Sequence, residues 1–281
     1  MAVHLSAVQT YDAQKTREAI EQGLKATGAK VDGARTAVIK INVVQTRAPE
    51  TGIVTHPVVA EALIDILKAH GVIDIAIAEA PALGVDPRKA FRVSGYTELC
   101  KRKGVRLINL FDAPREKVDI GYGYANLPNV YDDEDLSKYE CGWMSIPKIM
   151  LESDLYINLA KLKTHNRTTV TLTMKNQWGL LSFKDRQMYH RIGLHEPIVQ
   201  IARAVQPHIT VVDGILALEG NGPILGVAKH AGLILVGTNM VETDITGARL
   251  MGADPESIIP TPCSRAWIGQ LGCRSFRGKG R

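Results

Sequence analysis

The chain has 281 residues, 45% of them hydrophobic, 22% charged and 5% aromatic, with a net charge of +5. That length and composition suffice to bury a substantial core without disulfides or structural metals, and no stretch is apolar and long enough to cross a bilayer. The five excess positive charges are Arg265, Arg274, Arg277, Lys279 and Arg281, in a tail with no acid. The rest is neutral overall, and with few aromatics to stack on bases no nucleic-acid partner is expected.

Strand-like and helix-like patterns alternate from the start. His4–Gln9 reads as a short strand, and Asp12 as the N-cap of a helix over Ala13–Thr27. Thr36–Val44 is a β-branched apolar run that predicts a buried strand. Pro57 opens a helix reaching His70, closed by Gly71, with Thr55 as its cap. Asp74–Ala80 and Val105–Phe111 read as further strands, separated by a polar helix that ends near Gly104. From Asp112 to Glu140 the periodicity weakens into Gly, Pro, Asp and Tyr, including the acidic run Asp132-Asp133-Glu134-Asp135, read as a solvated loop in an irregular insert near 112–145. Leu155–Leu159 and Ile209–Asp213 resume the strands, with a helix over Glu196–Val205 between them. Leu233–Gly237 and a helix over Thr243–Met251 follow. This alternation predicts an α/β fold: a doubly wound, mostly parallel sheet with helices on both faces, forming one domain over residues 1–260, then a basic tail over 261–281.

The N-terminus lacks the basic and apolar regions of a secretory signal, so a cytoplasmic protein with reduced thiols is expected. Cys100, Cys141, Cys263 and Cys273 form no C-x-x-C pair, and no internal iron–sulfur cluster is expected.

In such a sheet, ligands bind beyond the carboxyl ends of the strands, and four polar clusters fall there. Lys40 and Asn42 share one face of their strand. Thr55 and His56 lie at a helix N-terminus, whose free N–H groups either favour an anion or are simply capped. Lys161, Lys163, Thr164 and His165 follow the strand Leu155–Leu159, with Lys175 and Asn176 shortly after. Lysines at i and i+2 on an extended segment share a face, and crowding or burial lowers a lysine pKa towards that of a useful base or Schiff-base amine. The fourth cluster, Asp213-Gly214 with Glu219-Gly220-Asn221-Gly222-Pro223, places backbone N–H groups of Asn221 and Gly222 where a small ligand could be wrapped. Asp213 and Glu219, with Asp244, offer hard oxygen ligands for a divalent metal such as magnesium; alternatively they balance the lysines by ion pairing.

These motifs, in this order, resemble the family called domain of unknown function 362: Lys40-x-Asn42, Gly52-x-x-Thr55-His56-Pro57, Asn158-Leu-x-Lys161-Leu-Lys163-Thr164-His165, Lys175-Asn176, Val212-Asp213-Gly214 and Glu219-Gly220-Asn221-Gly222-Pro223. The resemblance runs from about Lys40 to Asp254. It departs from the family at Ile41, where proline is usual, and in the basic tail. Many members carry a fused ferredoxin-like segment that has no counterpart here, so a redox role would need a separate iron–sulfur partner. More loosely, the Thr-His-Pro helix start is similar to the amino-terminal half of lactate racemase.

The expected function is an enzyme acting on a small carboxylate or phosphate ester. In this reading Lys40, Asn42, Thr55, His56, Lys161, Thr164, Lys175, Asn176, Asn221 and Gly222 bind substrate. His165 is the general acid or base, Lys163 stabilises developing negative charge and Glu219 is the partner acid. The alternative is a non-catalytic redox-accessory or binding module that docks a separate iron–sulfur protein through a basic face.

Overall fold

The computed structural model describes residues 3–119, 143–192 and 194–258. In chain order the first half comprises β1 (Val3–Ala7), α1 (Ala13–Thr27), β2 (Thr36–Lys40), α2 (Pro57–Ala69), β3 (Asp74–Glu79), α3 (Pro87–Val93), α4 (Tyr96–Lys103), β4 (Arg106–Asn109) and β5 (Arg115–Asp119). The second comprises β6 (Trp143–Pro147), α5 (Lys148–Glu152), β7 (Leu155–His165), β8 (Thr169–Thr171), α6 (Thr173–Asn176), α7 (Phe183–Ile192), α8 (His195–Ala204), β9 (Ile209–Asn221), β10 (Leu225–Gly237), α9 (Met240–Leu250) and α10 (Pro255–Ile258).

The main sheet runs β1-β10-β9-β7-β2-β3-β4, with β8 paired to β7. Pairing is parallel from β9 through β7, β2 and β3 to β4, and antiparallel at β9–β10, β10–β1 and β7–β8. The result is a mostly parallel mixed sheet flanked by helices. Alternation along the strands sorts the core into two layers. Ile39, Ile157, Leu159 and Val211 pack with Ile20 and Leu24 of α1 and Leu63 and Leu67 of α2. Val38 and Tyr156 face the other way, against Trp178, Leu180, Ile201 and Val205. Among the described residues, no helix is long and apolar enough to cross a membrane.

Several elements differ from the sequence expectation. The strand expected to stop at Leu159 continues to His165, so Lys161 and Lys163 lie within a strand rather than in a following loop. The strands expected over Ile209–Asp213 and Leu233–Gly237 are the inner parts of a long hairpin. Its tip, with Gly220 at φ 78°, holds the Glu-Gly-Asn-Gly-Pro motif. The helix ending near Gly104 is two helices broken at Gly95, whose φ is 82°. The cap of α2 is His56, whose Nδ1 accepts from the Val58 amide at 3.2 Å, while the buried Thr55 hydroxyl bonds the Asn42 amide and Tyr96. The ends of the irregular insert form a two-stranded sheet, β5–β6. Its middle, including the acidic run, and the basic tail, with Cys141, Cys263 and Cys273, lie outside the described residues.

Candidate functional site: a cationic cavity at the carboxyl edge of the sheet

Two polar systems meet at the carboxyl ends of β2, β7 and β9, one on each face of the sheet. On the α1–α2 face, Lys161 of β7 lies directly opposite Asp213 of β9, both fully buried, with Nζ 2.7 Å from Oδ2. The Asp213 carboxylate also accepts from Tyr11 Oη at 2.9 Å and from the His56 amide at 2.9 Å, and the Tyr11 ring stacks on His56 at 3.7 Å. The α2 N-terminus therefore does hold an anion, supplied by the protein itself: the Asp213 carboxylate.

On the opposite face lies a cavity of about 660 Å³. Lys40 forms part of its floor, buried with Nζ 2.7 Å from Glu79 Oε1 and 3.3 Å from Asn176 Oδ1. Asn176 Oδ1 accepts from Asn42 Nδ2 at 2.9 Å, Asn176 Nδ2 donates to Asn158 Oδ1 at 2.7 Å, and Asn42 Oδ1 accepts from Lys163 Nζ at 2.7 Å. Lys163 also donates to the Ile53 carbonyl at 2.8 Å. A register shift in β7–β9 pairing falls between Lys161 and Lys163 and accompanies this division, Lys161 turning to Asp213 and Lys163 to the cavity. Gly179 closes the floor so tightly that a Cβ there would stand 2.4 Å from Glu79 Oε1 and 2.5 Å from Lys40 Cε.

The walls bring further cations. The Arg186 guanidinium, 3% exposed, donates to the carbonyls of Pro81, Ala80 and Gly179. Lys175 lies 4.4 Å from the centroid of the Trp178 ring and has no hydrogen-bond or ion-pair partner among the described residues. Its position is set by Asp244 of α9, which accepts from the Thr173 and Met174 amides at 2.7 and 2.9 Å and so caps the short helix α6. Arg167 and His190 stand exposed at the mouth. Against Lys40, Lys163, Lys175, Arg167 and Arg186, the cavity lining holds one carboxylate, Glu79, already engaged by Lys40.

Burial and crowding move these groups far from their ordinary titration. Burial first, then the Lys161 charge, push Lys163 down to about 7. Burial and then Arg186 push Lys175 down to about 7. Burial, with Lys175 and Lys163, pushes His165 down to about 3. His165 Nδ1 accepts from the amides of Arg167 and Thr168 at 3.1 and 3.3 Å, which places the proton of its neutral ring on Nε2. At neutral pH His165 thus offers an N–H donor, and the lysines titrate there instead.

The structure gathers Lys40, Asn42, Lys163, His165, Lys175 and Asn176 around one cavity. It sets His56, Lys161 and Asp213 in the network on the other face, and Thr55 between Asn42 and Tyr96. Glu219 is exposed on the hairpin and paired with Lys229, and Asn221 is exposed beside it. Asp213 and Glu219 therefore do not share a site; among the described residues no group of three or more His, Cys, Asp or Glu side chains is arranged to hold a metal. Gly222 acts through close approach: a Cβ would stand 2.0 Å from the Thr164 carbonyl, and the Thr164 hydroxyl donates to the Gly220 carbonyl at 2.8 Å, fastening the hairpin tip over β7. Sequence reasoning passed over Glu79, Arg186 and Tyr11. An acid ending the apolar run Asp74–Ala80 was the available signal for Glu79; Arg186 lies in a helix that the pattern did not disclose. A larger groove of about 1180 Å³ runs along edge strand β4, but its exposed charges are of both signs and Arg106 there is paired with Asp74, so it lacks the unbalanced charge of the cavity.

Comparison with known proteins finds the following similarities. A thylakoid-associated protein of Synechocystis sp. is 25% identical over 279 residues, covering 95% of this chain and 79% of that protein. A protein of known crystal structure from Thermotoga maritima shares the fold with a TM-score of 0.54 at 15% identity; the match covers 88% of this chain and 60% of the other. The lactate racemase apoprotein of Thermoanaerobacterium thermosaccharolyticum gives a TM-score of 0.42 at 11% identity, over 87% of this chain and 56% of the other. The family profile described as domain of unknown function (DUF362) matches residues 37–249, which span every residue lining the cavity, and the chain belongs to that family.

Proposed function

We propose that the protein is an enzyme that binds a small organic anion, a carboxylate or phosphate ester, in the cavity between Lys40, Lys163, Lys175 and Arg186, and moves a proton on it. The observation that carries this reading is the imbalance of charge. Five cationic side chains line the cavity and the single carboxylate is spent on Lys40. Burying an ion costs several kcal/mol unless an opposite charge offsets it, so an anion entering here supplies what the protein leaves out.

The chemistry follows from the altered titration. A general base works best with a pKa near the operating pH, and Lys163 and Lys175 meet that condition where His165 does not. Lys163 can donate both of its hydrogen bonds as a neutral amine and keep its lone pair. His165, with Nε2–H fixed, is a hydrogen-bond donor to an oxygen that gains negative charge. This exchanges the roles expected from the sequence: lysine as base, histidine as electrostatic partner.

Native mass spectrometry of the purified protein, followed by calorimetric titration with carboxylates and phosphate esters, tests the proposal. A retained small anion, or a titrated one displaced competitively by sulfate, supports it. Absence of binding by every anion tried, with the fold intact by circular dichroism, refutes it.

A further inference from the structure

We infer that Lys175 is a covalent nucleophile and that the anion it meets carries a carbonyl group beside its charged end, as in a 2-oxo acid. The inference deepens the anion-cavity reading and rests on it. Each cavity lysine has a different occupation. Lys40 is held by Glu79, Asn176 and the Ile41 carbonyl, and Lys163 by Asn42 and the Ile53 carbonyl. Lys175 alone among these three has no hydrogen-bond or ion-pair partner among the described residues; its Nζ lies over the face of Trp178. An aromatic face attracts the ammonium far more weakly than a carboxylate does, so it positions Lys175 without locking it in the protonated form.

The surroundings suit the same reaction. Burial, then Arg186, Lys40 and Arg167, which line the cavity with Lys175, depress its proton affinity, so the cations that would bind a carboxylate also favour the free amine. With its pKa near 7, Lys175 is about half neutral at neutral pH, roughly three orders of magnitude more than an ordinary lysine. His165 Nε2–H lines the same cavity as a donor for the carbonyl oxygen.

The step balances without an external oxidant or reductant. The Lys175 nitrogen adds its lone pair to the carbonyl carbon, the C=O π bond breaks, and a proton passes from nitrogen to oxygen to give a carbinolamine. The C–O bond then breaks, the hydroxyl leaves as water with a second proton from nitrogen, and a C=N bond forms. In protonated form that bond draws electrons from the neighbouring carbon, where a base such as Lys163 removes a proton.

Incubation of the full chain with pyruvate and cyanoborohydride at pH 7.5, read by intact mass and peptide mapping, tests the inference. One reduced pyruvyl group per chain on Lys175 is expected, with a labelling rate that rises with pH through about 7, suppression by sulfate, and at least a tenfold loss in Lys175→Arg. Labelling spread over exposed lysines, or none, overturns the covalent step. Sulfate titration of the same samples separates the two claims: sulfate binding without an adduct at Lys175 refutes the nucleophile and leaves the anion cavity standing, whereas no sulfate binding refutes both.

Discussion

Sulfate is the sharpest probe of the cavity because its charge is constant from pH 6 to 9, so any pH dependence of its binding belongs to the protein. Lys163 and Lys175 are held near 7 by burial and by neighbouring cations, and sulfate binds the protonated forms. The fraction of competent protein then falls as pH rises through 7, and apparent affinity falls with it. For one lysine the loss between pH 6 and 8 is about tenfold, and for two up to about a hundredfold. Lys163→Met removes one charge-assisted hydrogen bond to the anion, roughly 1.5 to 3 kcal/mol, which is about 10- to 150-fold in Kd at pH 6. The variant also leaves Asn42 Oδ1 and the Ile53 carbonyl without their donor, so its stability is measured alongside. Arg167→Ala is the companion variant, because Arg167 is exposed at the mouth and its loss opens no buried defect. Isothermal titration at pH 6, 7 and 8 reads all three proteins. Sulfate affinity that is independent of pH and equal in wild type, Lys163→Met and Arg167→Ala would refute the cavity as an anion site.

Three further outcomes are expected. Asp213→Asn leaves the Lys161 ammonium buried without its counter-ion and should cost about 3–5 kcal/mol in urea unfolding, while the double variant Lys161→Met/Asp213→Leu should recover most of that loss; a single variant within about 1 kcal/mol of wild type contradicts the pairing. In that same Asp213→Asn protein, Lys161 has a folded pKa below its unfolded one, so the unfolded state binds more protons and stability should rise with pH up to about 10; a flat profile above neutral pH counts against it. Gly179→Ala drives a methyl group between Glu79 and Lys40 and should cost about 1–3 kcal/mol and weaken sulfate binding, whereas unchanged melting and binding would show that the cavity floor yields.

How much of this was legible in the sequence divides along physical lines. Local signals were reliable: Asp12 opens α1 as capping chemistry requires, and the continuous apolar runs at β2, β3 and β7 identified the parallel core of the sheet. The rule that ligands bind at carboxyl strand ends placed Lys40, Asn42, Lys163, His165, Lys175 and Asn176 together, although 136 residues separate Lys40 from Asn176. The partners of those residues were decided by tertiary structure. Lys161 and Lys163 share a face in an ideal strand, and only the groups packed beside each divide them: Asp213 of β9 stands opposite Lys161, whereas Asn42 and the Ile53 carbonyl hold Lys163 at the cavity. Glu219 belongs to a motif read as a ligand loop, yet a hairpin needs that motif for its turn and for the close approach of Gly222 to Thr164. The chemical roles lay furthest from the sequence. A histidine is the obvious base at its ordinary pKa and a lysine is not, and the order reverses here because burial penalises whichever form is charged. Burial is a property of what packs around a residue, and in this protein α6, α7 and Trp178 supply that packing from elsewhere in the chain.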